Sequence, residues 1–390
     1  MARGRIKVCP VSNGASLDSR QFSLGELEAL GYVTLGRGKV ISKEDIKSSP
    51  GGYPVYSSSA VGSGEIGRYG LFMFDDERIT WSIDGGGRLF YRPAHKYSVT
   101  NVCGWLKVNT SEISTRYLHL LLTARWQRLV FDYTYKAHPS VIRDAYQNLS
   151  FPDVQEQTRI SSVFDKLEKV IAQRKSQLDT LSNLVKSRFV EMFGSELEQG
   201  RWPMTTVGSV AKVCVGVVIK PTQYYQKKGV RAFRSLNIGE MCVKDSDWVF
   251  FSENGHSKNQ KSVVHKDDVL VVRSGAPGTA CVVPERFDGA NAVDIIIARP
   301  DTSSVDPTFL AMFTNMPHGR NQIKNQIGGA AQQHYNVGGY KSLNIIAPPL
   351  ALQREFAAFV AKVDKLAFAV RKSIETAEKL HRQQLSEAFS

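Results

Sequence analysis

The sequence predicts an α+β protein built twice: two compact domains, each followed by a long α-helix, with the two helices packed on each other. Three observations carry this. Pro152-Asp-Val-Gln-Glu-Gln157 returns 196 residues later as Pro348-Pro-Leu-Ala-Leu-Gln353, and identical residues keep that register without a gap from His138/His334 through Asn148/Asn344 and Lys166/Lys362 to Phe193/Phe389. Each copy opens a segment with apolar residues at three-and-four spacing, the signature of one helix face. Before each copy lie more than a hundred residues of short β-type runs punctuated by Gly, Ser, Pro and Asp.

In chain order, residues 1–21 read as a loose leader. A first domain follows over 22–150, opening on Leu24-Gly-Glu-Leu27. Its β-type runs are Tyr53–Tyr56, Gly70–Phe74, Ile79–Ile83 and Val102–Val108, and a helical stretch covers Ser114–Phe131. The central helix occupies 151–200, with Ile160, Phe164, Leu167, Ile171, Leu178, Leu181, Val185 and Phe189 on its apolar stripe, and Gly194 stops it. The second domain, 201–347, opens on Val207-Gly-Ser-Val210 and carries runs at Trp248–Phe251, Val269–Arg273, Ala280–Val283 and Asp294–Ala298, then a helical stretch over Pro307–Gln326. The last helix, 348–390, repeats the stripe with Phe356, Val360, Val363, Val370, Ile374 and Leu385. A helix of about 40 residues is roughly 60 Å long. No nearby core looks large enough to cover either seam, so the two helices are expected to cover each other.

At 390 residues, 42% hydrophobic and 22% charged, the composition is that of an ordinary globular chain. No run approaches a membrane span and no secretory signal opens the chain, so a cytoplasmic protein without a membrane role is expected. The five cysteines are isolated, which suggests reduced thiols rather than zinc or disulfides. The net charge of +13 divides as +6 over 1–150, −1 over 151–200, +6 over 201–347 and +2 over 348–390. A surplus carried by both domains favours a polyanion, of which duplex DNA is the common case, although a basic protein without such a partner has the same balance.

Motifs for chemistry are missing. Gly62-Ser-Gly-Glu-Ile-Gly67 fits GxGxxG only formally, without a βαβ unit, and reads as a turn-rich loop. There is no P-loop, no HExxH and no GxSxG elbow. Asp45-Ile-Lys47 is a lone acidic-x-Lys triplet in a polar stretch. Neither catalytic residues nor a metal or cofactor site is expected.

Reading DNA requires cations for phosphates, and guanidinium, amide or hydroxyl groups for base edges. Gly/Ser-rich loops at strand ends supply them. In the first domain the candidates are Ser57, Ser58, Ser59, Trp81, Ser82, Arg88, Lys136 and His138. In the second they are Arg234, Ser235, Asn237, Arg273, Ser274, Gln332, Gln333, His334 and Asn336. Loop Ser and Asn residues also serve as plain turn formers, and an Arg after a strand often pairs with a carboxylate.

Taken together, two domains each followed by a repeated helix, the stretch Gly328-Gly-Ala-Ala-Gln-Gln-His-Tyr-Asn336 leading to Pro348–Gln353, and the loops Ile79–Gly85 and Val269–Gly275 resemble the specificity (S) subunits of type I restriction–modification systems. The likeness covers residues 22–390; the first junction, Ala137-His-Pro-Ser-Val141, lacks the Gly/Gln run. The resemblance implies two target-recognition domains, each reading half of a split, asymmetric DNA sequence. It also implies an antiparallel coiled-coil spacer that sets the distance between the halves. Two methyltransferase subunits would dock on the helices, with restriction subunits completing the complex. S-adenosylmethionine, ATP and magnesium would belong to those partners, so the chain itself would be non-catalytic. A specificity subunit of a type II system, whose partner fuses methyltransferase and nuclease, would have the same sequence features. A free-standing methyltransferase and a coiled-coil adaptor without a DNA role are the other readings, although no NPP[FY] or FxGxG methyltransferase signature is present.

Overall fold

The computed structural model describes residues 20–58, 62–84, 88–126, 128–129, 131, 136–194, 201–327 and 334–389. Two compact units emerge: Met1–Gln173 with Ser373–Ser390, and Arg174–Lys372. Each long helix therefore contributes one half to each unit.

In the first unit Ser23 caps α1 (Leu24–Ala29) through reciprocal bonds with Glu26. The chain continues through β1 (Val33–Arg37), α2 (Lys43–Ser48), β2 (Pro50–Tyr56), β3 (Glu65–Tyr69), β4 (Arg78–Ser82), β5 (Leu89–Arg92), β6 (Ser98–Val99) and β7 (Cys103–Val108). Next come α3 (Thr115–Trp126), α4 (Pro139–Ala145) and the long α5 (Val154–Phe193). The main sheet is antiparallel, ordered β1-β7-β4-β5. A smaller sheet, β3-β2-β6, ends on the parallel pairs Val55–Ser98 and Tyr56–Val99.

The second unit repeats this plan. Its chain runs through β8 (Met204–Thr206), α6 (Val207–Val210), β9 (Ala211–Val215), β10 (Tyr225–Gln226), β11 (Val230–Phe233), β12 (Ile238–Gly239), β13 (Cys242–Val243), β14 (Val249–Phe251) and α7 (Glu253–Lys258). It continues through β15 (Val269–Val272), β16 (Ala280–Val282), β17 (Asn291–Ala292), β18 (Ile295–Pro300), α8 (Pro307–Asn315), α9 (Pro317–Ile327), α10 (Val337–Lys341), β19 (Asn344–Ile346) and α11 (Leu350–Ala388). The main sheet, β9-β18-β15-β16, has the order of the first, and the smaller sheet again ends on a parallel strand, with Ala232–Asn291 and Phe233–Ala292 paired.

Several local expectations change. Both domain-opening steps are short helices, α1 and α6. Gly70–Phe74 is not a strand; Leu71 and Phe72 are exposed, and only Phe74 bridges to Tyr97. The stretch Pro307–Gln326 breaks in two because Pro317, which has no N–H, starts a new helix. His138 and His334 are not equivalent: the N-caps of α4 and α10 are His138 and Asn336. The segment that opens α4 and α10 is thus offset by two residues from the ungapped register.

The two helices pair antiparallel. In the first unit the early part of α5 meets the late part of α11, with the Phe164 ring 5.2 Å from His381 and 6.4 Å from Phe389. In the second unit the late part of α5 meets the early part of α11, with Phe356 5.3 Å from Phe189 and 5.8 Å from Phe193. The expectation that no domain core covers the seams is corrected. Phe164, Leu385 and Phe389 are buried in the same core as Leu118 and Leu121 of α3, and Val185, Phe189, Phe193, Phe356 and Val360 in the same core as Phe309 and Leu310 of α8. Each seam therefore closes on its partner helix and on a domain at once, because α3 and α8 present apolar faces of their own.

Charge fixes the first unit further. Arg116 of α3 reaches Asp165 at 2.7 Å and Glu168 at 2.6 Å on α5, and Glu168 also meets His381 of α11 at 3.3 Å. Burial alone would raise the Glu168 carboxyl, but hydrogen bonds from His381 and Arg116 outweigh it and bring it down to about 2.

The repeated glutamines have one job in both units. Gln157 is fully buried; its Nε2 donates to Pro152 O at 2.8 Å and Glu112 O at 2.9 Å, and its Oε1 accepts from Ser114 N at 2.8 Å. Gln353 donates to Pro348 O at 2.8 Å and accepts from Asp306 N at 2.9 Å. Each amide joins the first turn of a long helix to the backbone just before the domain helix, α3 or α8. Replacing Gln157 or Gln353 by Ala strands buried backbone groups at a cost of about 3 kcal/mol. The midpoint of the corresponding thermal transition is expected to fall by roughly 5–10 °C in calorimetry; an unchanged midpoint would mean that the amide does not hold the helix start.

Candidate nucleic-acid interface

The candidate loops gather where β4 and β15 end. In the first unit the strand hands over to the returning chain: Ala137 N donates to Ile83 O at 3.0 Å, and Trp81 Nε1 donates to Ala137 O at 2.8 Å. Lys136 pairs with Asp84 at 2.8 Å. Ser57 closes the turn towards Gly64 through its amide and shares a 2.9 Å hydroxyl contact with Thr100. Arg88 is exposed, donates to Gly62 O at 2.6 Å and lies 4.7 Å from the Phe90 ring. Ser58 is half-buried beside Ser57, and Ser59 lies outside the described residues.

The second unit uses the same handover with different side chains. Tyr335 N donates to Arg273 O at 3.0 Å. Arg273 Nε donates back to Tyr335 O at 3.0 Å, while its Nη1 meets Asp294 Oδ1 at 2.5 Å. Ser274 Oγ and His334 Nδ1 are 2.6 Å apart. Across Val293, whose amide donates to Phe233 O at 2.8 Å, the chain enters the Arg234-Ser235-Leu-Asn237 turn. Arg234 donates to Asp247 O from the edge of that turn. Gln332 and Gln333 lie outside the described residues.

Burial removes several candidates from direct reading. Trp81 and Ser82 are 1% and 3% exposed because β4, central in its sheet, is buried at every position. Asn237 is fully buried; its amide donates to Ser246 O at 2.7 Å and its oxygen accepts from Arg234 N at 2.9 Å, so it builds the turn. His138 and Asn336 are helix caps, accepting from Ser140 N and Gly339 N. Arg273 spends its guanidinium on the protein and positions the segment carrying His334. Exposed groups that remain at the mouths are Arg88, Lys136 and His334.

Residues outside the sequence-derived set complete the scaffold. Asp84 and Asp294 hold Lys136 and Arg273. Arg92 is buried, lies 3.6 Å from the Tyr56 ring, and donates to Thr80 Oγ1 at 3.0 Å and Ser63 O at 2.8 Å, tying the 57–64 turn to β4. An arginine inside a strand carries no sequence signal for that role. Among the described residues no group of three His, Cys, Asp or Glu side chains is placed to hold a metal, and no helix is long and apolar enough to cross a membrane.

Two units with the same main-sheet order, each followed by a long helix, repeat one scaffold within a single chain. The family model for the type I restriction modification DNA specificity domain matches residues 19–182. A putative type I specificity subunit of Mycoplasma pneumoniae is 33% identical over 198 residues, which span 48% of this chain and 71% of that protein. The type I restriction enzyme MpnII specificity subunit of the same organism is 34% identical over 184 residues, 44% of this chain and 54% of that one. Among solved structures, the type I S subunit of M. genitalium aligns with a TM-score of 0.56 at 15% identity, covering 97% of this chain and 98% of that one, a likeness of fold. The chain belongs to the type I restriction–modification specificity subunits.

Trp81→Phe keeps an aromatic side chain but deletes the indole N–H and leaves a small cavity at a buried site. It is expected to cost about 2–3 kcal/mol in unfolding and to speed amide exchange over 136–138; unchanged exchange there would mean the indole does not hold the segment.

Proposed function

We propose that this chain is the non-catalytic DNA-reading subunit of a restriction–modification complex, each domain reading one half of a bipartite, asymmetric target. The observation that carries this is one scaffold used twice with different side chains at equivalent places. Ser57 follows β2 where Arg234 follows β11, and Ile83-Asp84 follow β4 where Arg273-Ser274 follow β15. Equivalent places built from different side chains leave different groups exposed, Arg88 and Lys136 in one unit and His334 in the other, and so suit different bases. The net charge of +13 suits a phosphate backbone.

The helices bear the second half of the proposal. They set the unread spacer and carry two methyltransferase subunits, one on each repeat. Supporting this, apolar residues stay exposed at matching repeat positions: Val170 at 41% and Leu366 at 58%, Leu184 at 47% and Leu380 at 43%. Matched surfaces on a repeated element fit two copies of one partner. Methyl transfer with S-adenosylmethionine, and ATP- and magnesium-dependent translocation and cleavage, belong to the methyltransferase and restriction subunits, in the cytoplasm where the DNA is.

Sequencing the methylome of cells that express this chain with its methyltransferase is expected to give a split, non-palindromic motif. Exchanging residues 201–347 for those of another family member should alter one half only. Adding one heptad to both helices, about 10 Å, should lengthen the unread spacer by about three base pairs and leave both halves intact. A single contiguous motif, or altered halves after the heptad insertion, would overturn the proposal.

A further inference from the structure

Immediately after the edge strand of each main sheet the chain makes the same short excursion. In the first unit it reads Gly38-Lys-Val40-Ile41, in the second Gly216-Val-Val218-Ile219. The two are equivalent by pairing: Lys39 bridges in parallel to Thr100, and Val217 in parallel to Val293. The glycines are required at both places. A Cβ on Gly38 would lie 2.3 Å from the carbonyl oxygens of Val99 and Thr100, and one on Gly216 would lie 2.5 Å from Ala292 O. The backbone is thus pressed against the inner strand, and the next residues are driven outward. Val40 is 75% exposed and Ile219 is 79% exposed, with Val218 beside it at 48%.

Both ends of each tip are fixed. Ser42 closes the first with a capping box to Asp45, its amide and hydroxyl 2.7 and 2.9 Å from Asp45 Oδ2. The second leaves through Lys220, at φ 43°, into the turn Pro221–Tyr224. These are short, held loops that present branched aliphatic side chains to solvent, an arrangement that adds nothing to the core.

The tips stand beside the candidate reading loops. Val217 O accepts from Asp294 N at 3.1 Å, and the Asp294 carboxylate is the one that holds Arg273. Lys39 N donates to Val99 O at 3.3 Å, next to Thr100, which contacts Ser57. Lys39 and Lys43 flank the first tip, with Glu44 and the Ser42-bonded Asp45 next along the chain; Lys220 adjoins the second, which shares a cleft with Lys258 and Lys261, and no acidic residue lines that cleft.

We propose that the Val40 and Ile219 tips are apolar base contacts: each enters a groove of duplex DNA at its own half-site while the neighbouring lysines take the phosphates. This rests on the DNA-reading function proposed above. Aliphatic side chains in a groove gain by covering thymine methyls or by wedging against a base step. A partner protein would not explain the lysines of the second tip's cleft as directly, and the tips occur once per reading domain.

The test uses the complex of this chain with its methyltransferase, and a labelled duplex bearing the methylated motif mapped for that complex, beside a scrambled duplex. Val40→Ala and Ile219→Ala should each weaken cognate binding about tenfold, leave assembly and thermal stability unchanged, and leave the slope of log affinity against log salt unchanged. Lys220→Ala and Lys261→Ala should instead reduce that slope, since each removes a phosphate contact. Permanganate reactivity gained at a thymine on wild-type binding, and lost with the variants, would mark a wedge; affinity lost on replacing thymine by uracil would mark methyl contact, and either supports the proposal. Equal binding by wild type and both aliphatic variants overturns it, and so does loss of methyltransferase assembly, which would make the tips a docking surface. A wild-type complex that binds no duplex would overturn the DNA-reading function as well.

Discussion

The direction in which each long helix leaves its domain is set by one buried amide. Gln157 and Gln353 each satisfy a helix-start carbonyl and a backbone N–H ahead of α3 or α8. A glutamine does this because its two ends have opposite polarity: one carboxamide can accept from one segment while donating to another. Glutamate would lose the donor and leucine both bonds. In a buried site the cost of an unmade bond exceeds the gain from a made one, so the amide selects one helix origin. Apolar packing such as Phe164 on Phe389 and Phe189 on Phe356 then works on a helix whose start is already fixed.

The same economy governs the loops. Their most conspicuous cations are already committed: Arg273 to Asp294 and Tyr335 O, Lys136 to Asp84, Arg92 to Thr80 and Ser63. Arg273 and Arg92, whose side chains are largely buried, hold their loops in one conformation before any ligand arrives, which lowers the ordering cost of binding. Arg273 thereby loses the freedom to read a base itself. Trp81 serves the same carbonyl-anchoring purpose in the first unit with an indole N–H. Two chemically unlike residues performing one scaffold task indicate that the handover between strand end and returning chain is the retained feature, and that the outward side chains are free to differ.

How much of this was readable in the sequence follows from how tightly each element is constrained. The helices were legible because a seam closed on both a partner helix and a domain admits few substitutions, and the 196-residue register survives along it. The domain repeat was hidden. Val40 and Val218 are equivalent at 178 residues, whereas the caps His138 and Asn336 are equivalent at 198, so loop-length changes erase any single register. Strand equivalents share burial rather than identity, as Leu35 and Val213 do. Trp81 and Ser82 looked like loop residues because Thr-Trp-Ser reads as a polar strand end; only the position of β4 between β7 and β5 explains their burial. Gln157 and Gln353 were visible as a repeat, but their bonds reach 45 and 47 residues back along the chain, beyond any local pattern.

Carrying both readers in one chain has a physical consequence that a homodimer cannot share. In a homodimer every change in a reading loop appears twice, so the two halves of a target stay alike. Here Ser57 and Arg234, or Asp84 and Ser274, can change separately while the glutamines and the helix seams remain fixed. The two glutamine staples and the two helix seams are alike in both repeats, whereas the side chains at the strand ends are not. Separate constraints of that kind allow one domain to acquire a new specificity without disturbing the other, because no described hydrogen bond of the Asp84 or Asp294 cluster involves a residue of the helices.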